Sequence, residues 1–309
     1  MDTPPAPSRF ARLKWVTLTA LAVLACGYGA IVLSVGMSAN FAQLWPFTFL
    51  GVAGALIANS TGVGGGAVFV PAFSFLRETG VYELTHMQVV GLSFAIQSFG
   101  MTIGSLTWVN RIARERAEAN LPGIWPRVLT PVLTLSLCAS LPAMLITQWA
   151  ITVPDGFGFL AFKLFSITLG CLLLFQVLRG QTRHHDPHTL SQADRVGIVI
   201  FSILGGVATA WFSVGIGEIL ALYLFLRGFD MRICAPAAVI VSAVSVVIGS
   251  IYHWAEAHIA LEILLFAAPG VALGGFLARR LAYWLGATRL KLLASMWIIA
   301  SSLVLIALR

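Results

Sequence analysis

Apolar residues in this chain come in long blocks separated by short polar joints. Seven blocks are simple, at about 14–37, 86–109, 123–148, 157–179, 231–254, 259–278 and 289–308. Each reaches the ~20 residues needed to cross a hydrocarbon layer ~30 Å thick, so each is predicted as a membrane-spanning helix. Two further segments, 45–77 and 195–226, run past 30 residues. As straight helices at ~1.5 Å per residue they would measure ~48 Å, too long for the hydrocarbon layer. Each is interrupted near its middle, by Asn59-Ser60-Thr61-Gly62-Val63-Gly64-Gly65-Gly66 and by Ser213-Val214-Gly215-Ile216-Gly217. The arms on either side, roughly 10–16 residues long, are too short to span alone. The pattern predicts two re-entrant hairpins that turn back at mid-membrane.

Charge chooses between hairpins and full spans. With two hairpins, the N-terminus and the joints 110–127, 179–195, 227–232 and 279–291 share one side and hold 16 of the 19 Lys and Arg. With two full spans, that side keeps 10. Lys and Arg in short loops mark the cytoplasmic face, so the hairpin arrangement is preferred and the N-terminus is placed in the cytoplasm.

The hairpins belong to an internal repeat. Residues 84–108 match 229–253 at a constant shift of 145, placing Gly104-Ser105 on Gly249-Ser250 and Gln97 on Ser242. Upstream, Ser60-x-Gly62-x-Gly64 falls on Ser213-x-Gly215-x-Gly217, and both hairpins end in Phe-Leu-Arg, at 75–77 and 225–227. Each unit is one hairpin plus three spans, and an odd number of spans turns the second copy upside down. The predicted fold is therefore an all-α polytopic membrane protein, an inverted repeat of one re-entrant helical hairpin plus three transmembrane helices, with one extra N-terminal span. Its parts are 1–44 (cytoplasmic N-terminus and first span), 45–179 (first repeat), 180–194 (cytoplasmic linker) and 195–309 (second, inverted repeat).

Composition agrees. The chain has 309 residues, 59% apolar and only 10% charged, leaving no polar stretch for a second, soluble domain. The net charge of +7 does not signal nucleic-acid binding, because the basic residues sit in short joints between apolar blocks. Cys26, Cys138, Cys171 and Cys234 lie inside apolar segments without paired spacing and read as small buried hydrophobes. Val23-Leu24-Ala25-Cys26 faintly resembles a lipoprotein cleavage site. The apolar run continues to about Met37, too long for a signal-peptide core, so an uncleaved span is expected.

Broken helices at membrane depth are tolerated where protein or a water-filled cavity satisfies their backbone, and inverted repeats of this kind put a transport site between the breaks. Glycines at Gly62, Gly64, Gly65 and Gly66 let backbone N–H groups approach a ligand. The arm after each break starts with unsatisfied N–H groups at the positive end of a helix dipole, which favours an anion. Candidate substrate-binding residues are Asn59, Ser60, Thr61, Gly62, Gly64, Gly65, Gly66, Gln97, Ser213, Gly215, Gly217 and Ser242. Helix C-terminal carbonyls holding a cation are the alternative. Glu218 stands where the first repeat has Gly65, and either carries a coupling proton or is a helix N-terminal acid satisfied by the dipole.

Other signals are read as structural. Lys163, eight residues past Asp155, is expected to snorkel to the interface. His184, His185 and His188 sit in a polar cytoplasmic connection. His253, Glu256 and His258 form a water-exposed turn in which helical spacing could join His253 to Glu256. Trp45, Trp108, Trp149, Trp254 and Trp284 make the aromatic belt. The Gly-rich break lacks the preceding strand of a dinucleotide site and the Lys of a phosphate loop. No cofactor or metal is expected. An intramembrane enzyme would need a nucleophile with a base, and Ser60 and Ser213 have no His partner in a neighbouring span. A channel is the other rival, and single-channel currents separate it from alternating access.

The run NSTGVGGGAVFVPAFSFL, the second break SVGIGEILALYLFLR and the paired GSL/GSI segments resemble the sulfite exporter TauE/SafE family over roughly 45–308. Glu218 in place of a glycine and the lack of a second-copy match to Pro71 depart from the first copy's pattern. The resemblance implies a multi-pass transporter, and no enzyme, in a bacterial-type cytoplasmic (inner) membrane. Its partners would be the lipid bilayer and a small sulfur-containing anion (sulfite, thiosulfate or an organosulfonate such as sulfoacetate), with protons as a coupling ion on the first of the two readings of Glu218. Homo-oligomer formation is left open.

Overall fold

The computed structural model describes residues 9–36, 41–61, 64–118, 125–151, 154–179, 190–229, 231–285 and 287–308. Along them run α1 (Arg9–Val35), the single turn α2 (Phe41–Leu44), α3 (Pro46–Thr61), α4 (Gly66–Glu78), α5 (His86–Glu118), α6 (Thr130–Ala150), α7 (Asp155–Arg179), α8 (Gln192–Phe212), α9 (Ile216–Leu226), α10 (Met231–Ala255), α11 (Leu261–Leu285) and α12 (Ala287–Ala307). No strand occurs among the described residues. Among the described residues, seven helical stretches are long and apolar enough to cross a membrane, in α1, α5, α6, α7, α8, α10 and α11. The protein is an all-helical, multi-pass membrane protein.

The block expected at 289–308 is the 21-residue helix α12. One element differs in length from the expectation. The arm before the second break is longer than expected, because α8 has 21 residues and by length and composition can cross. A capping box is the cause. The Ser191 hydroxyl accepts from the Asp194 N–H at 3.1 Å, and the Ser191 N–H donates to the Asp194 carboxylate at 3.2 Å, so the helix begins at Gln192. The arm after that break, α9, has 11 residues and stays short.

The repeat-matched helices α5 and α10 form the centre. They pack on each other, and 72% and 78% of their apolar windows are buried, against 6% for α1, which lies on the outside. Around them the partners exchange: α3 packs on α11, while α8 packs on α6, and α7 pairs with α12. Small residues bring these backbones together, as expected in lipid. Gly270 abuts the Thr48 carbonyl, and the Thr48 hydroxyl donates to the Phe266 carbonyl at 2.8 Å between α3 and α11. Gly206 abuts the Ser140 carbonyl, and the Ser136 and Ser202 hydroxyls pair at 2.8 Å between α6 and α8.

Three further expectations are corrected by burial. Cys26, Cys138 and Cys171 are exposed, and only Cys234 is buried, because an apolar outer face facing lipid looks like a core in sequence. Lys163 does not snorkel. It is 1% exposed and donates to the Leu305 carbonyl at 2.5 Å, with Glu78 at 3.8 Å, because α7 turns this face onto α12. His253 is fully buried and faces His258 (Nδ1 to Nδ1, 3.4 Å) and Gln148 rather than Glu256, which is exposed. Of the belt residues, Trp45, Trp149, Trp254 and Trp284 are exposed, and Trp108 lies under the Arg111 guanidinium at 5.4 Å. His184, His185 and His188 lie outside the described residues.

Candidate functional site

Both breaks fall where the backbone leaves helical geometry. Helix α3 stops at Thr61 and α4 starts at Gly66, with Gly65 as its N-cap. Helix α8 stops at Phe212, and Ser213 takes a left-handed conformation, φ 56°, which is uncommon for a residue with a side chain. Gly215 follows at φ 142°, where any side chain would be strained. The turn is closed by Thr209, whose carbonyl accepts from the Ser213 N–H at 2.8 Å and whose hydroxyl accepts from the Ile216 N–H at 2.8 Å.

The two breaks touch. Gly66 lies against the Ser213 carbonyl so closely that a Cβ would overlap it, with Val214 Cγ2 2.6 Å away. The Glu218 carboxylate bridges the breaks. Its Oε1 accepts from the Gly64 N–H at 2.7 Å, and its Oε2 accepts from the Gly215 N–H at 3.1 Å. The Gln97 amide on α5 donates to the Ser213 hydroxyl at 2.8 Å and to the Ser213 carbonyl at 3.2 Å, and is steadied by Ser93 at 3.0 Å. Gly65 packs on Gln97 Cγ, and Gly217 packs on the Ser242 hydroxyl, so the matched residues of α5 and α10 each back one break. Gln97, Ser213, Glu218 and Ser242 are all buried.

Nine of the thirteen residues singled out in the sequence thus meet in one place: Gly64, Gly65, Gly66, Gln97, Ser213, Gly215, Gly217, Glu218 and Ser242. Asn59 and Ser60 are buried nearby but turned onto helix backbones. The Asn59 amide donates to the carbonyls of Ala55 (3.0 Å) and Gly100 (3.3 Å), and the Ser60 hydroxyl bonds those of Leu56 and Ile57. Gly62 and the side chain of Thr61 lie outside the described residues. Sequence reasoning missed Ser93 and Thr209. Each stands four residues before a residue it holds, Gln97 and Ser213, the spacing of helix neighbours.

Removing Gln97 isolates the effect of this network. Gln97→Ala strips the buried Ser213 hydroxyl of its donor, which at ~1–3 kcal/mol per unsatisfied buried group lowers thermal stability in detergent by a measurable few degrees. An unchanged melting curve contradicts this role.

A model of the sulfite exporter TauE/SafE family matches residues 47–305, spanning both breaks. The chain belongs to the sulfite exporter TauE/SafE family. Membership makes it a membrane transport protein for sulfur-containing anions, and not an enzyme. Searches of curated proteins and of solved structures find no match. Both helices that back the breaks, α5 and α10, lie inside the TauE/SafE match, while α1 lies outside it.

Proposed function

We propose that this TauE/SafE protein moves a small sulfur-containing anion across a cytoplasmic membrane by alternating access, with the site between the two Gly-rich breaks. The substrate is sulfite, thiosulfate or an organosulfonate such as sulfoacetate. The observation that carries the reading is the meeting of the breaks, with Gly66 against Ser213 and the Gly64 and Gly215 N–H groups converging on one carboxylate. Converging N–H groups at broken helices suit a negative ligand, and an amide site without Arg or Lys binds weakly enough to release it.

The repeat-matched segments and the exchange of packing partners, α3 with α11 and α8 with α6, support two structural units related by inversion. In such transporters one unit rocks against the other around the site. The concentration of Lys and Arg in alternate joints supports a cytoplasmic N-terminus. Outward movement of a negative charge down ~100 mV gains ~2.3 kcal/mol, so export proceeds without a coupling ion, while uptake needs one. Where a coupling proton is needed, the Glu218 carboxylate, bonded to both breaks, is the group we assign to carry it.

Flux of labelled sulfite, thiosulfate and sulfoacetate into proteoliposomes tests the reading, with and without an imposed potential and with rubidium as a cation control. Flux of at least one anion that follows the potential, with none of rubidium, is expected. Rubidium flux without anion flux overturns it.

A further inference from the structure

The Glu218 carboxylate is almost wholly buried, 2% exposed, and no ion pair among the described residues includes it. Its carboxyl oxygens accept from backbone N–H groups instead. The bond from Gly215, three residues before it, is an ordinary N-terminal cap. The bond from Gly64 is not. That donor lies 154 residues away in the other break, and at 2.7 Å it is the shorter of the two. A carboxylate joined to both breaks through two N–H groups, with Gln97, Ser213 and Ser242 as the polar side chains alongside, is chemically an anion in an anion site.

We propose that Glu218 is a tethered resident anion, and that a transported anion enters by displacing its carboxylate from the Gly64 and Gly215 N–H groups while that carboxylate takes up one proton. The inference rests on the transport reading above. One negative charge fills the cradle before the exchange and the incoming anion fills it afterwards, with the proton from water on a Glu218 carboxyl oxygen. Two anions side by side in a buried site cannot both stay ionised, so the displaced group is the one that protonates. An empty cradle is avoided at every step, because the backbone donors always hold a charge.

Among the described residues, the titratable groups on the neighbouring helices are engaged elsewhere or exposed. On α8, Asp194 pairs with Arg227 at 2.7 Å, and Arg195 is exposed. On α7, Lys163 faces Leu305 and Glu78, and Glu78 of α4 also pairs with Arg77. On α10, His253 faces His258 and Gln148, and on α5 the His86 ring contacts the Trp211 carbonyl. In the first repeat the matching position is Gly65, so the second break alone carries the built-in anion.

Thermal unfolding of the full chain in lipid nanodiscs tests this with formate, a free copy of the missing carboxylate. Glu218→Ala should melt below wild type and regain roughly 3 °C in formate over the same ionic strength of gluconate, while wild type at neutral pH does not respond. A Glu218→Ala protein that formate moves no more than wild type overturns the proposal. Should that variant not fold, binding of thiosulfate and methanesulfonate, whose charges stay fixed near neutral pH, decides. Uptake of one proton per anion makes wild-type affinity rise about tenfold per pH unit lowered, and Glu218→Gln removes that slope. A flat wild-type profile, absence of binding included, overturns it. Formate rescue without flux of any anion removes the transport reading and leaves the tethered anion in its cradle. Anion flux without rescue and without the pH slope removes the displacement alone.

Discussion

Gly66→Ala is expected to reduce anion flux on the order of 100-fold while leaving the protein in the membrane. The added methyl has nowhere to go. It would overlap the Ser213 carbonyl oxygen and meet Val214 Cγ2 at 2.6 Å. A backbone carbonyl does not swing aside as the end of a long side chain does. Ser213 is already held at φ 56° by the Thr209 cap and the Gln97 amide, so the turn has little freedom left to yield. The breaks must therefore separate, and the 2.7 Å bond between the Gly64 N–H and Glu218 opens with them. Overpacking of this sort costs ~1–3 kcal/mol in stability, and displacement of a binding constellation by about 1 Å costs ~100-fold in rate. Gly29→Ala is the control, since that position on α1 has open space around it, and flux there should not change. Flux through Gly66→Ala equal to that of the control would separate the contact between the breaks from transport.

The largest effect on stability is expected at Lys163. Its ammonium is 1% exposed, bonded to the Leu305 carbonyl at 2.5 Å and 3.8 Å from the Glu78 carboxylate. Leu305 stands in the last turn of α12, where carbonyls lack helical partners and the helix dipole favours a cation. The lysine thus ties α7 to the ends of α12 and α4. Lys163→Ala leaves a buried carbonyl and a half-buried acid without that partner and a void where the stem lay. Loss of one member of a buried pair costs ~3–5 kcal/mol, which lowers the melting temperature in detergent by roughly 5 °C or more. Lys163→Met with Glu78→Gln removes both charges and keeps the volume, and should recover most of the loss, because the penalty lies in the uncompensated group. A double variant as unstable as Lys163→Ala would show that the lysine acts through the α12 carbonyl alone.

What could be read from sequence followed from what lipid demands. Crossing helices need ~20 apolar residues, so α1, α5, α6, α7, α10, α11 and α12 stood out as blocks. Helix breaks need glycine and small polar residues, so the turns at Gly64–Gly66 and Ser213–Gly217 were visible as well. The rest depended on contacts that no local pattern holds. Glu218 is bonded to an amide 154 residues away, and Lys163 to a carbonyl 142 residues away. The outward Cys138 and the inward Cys234 sit in equally apolar helices, because lipid and core are alike to a sequence. Asn59 and Ser60 look like ligands in sequence, yet each donates to a carbonyl four residues back, an option open to any Asn or Ser in a helix. The length of α8 turned on Ser191 and Asp194, a capping box just outside the apolar block.

The central claim is that a small anion passes where the two breaks meet, and charge movement tests it most directly. Proteoliposomes adsorbed on a solid-supported membrane would be given sulfite or thiosulfate at pH 8, where thiosulfate is a dianion and stays net negative even with one proton taken up. A transient current with the sign of inward negative charge in wild type, absent in Gly66→Ala and intact in Gly29→Ala, is the predicted result. A current of opposite sign, or one of equal size in Gly66→Ala, contradicts an anion path through the breaks.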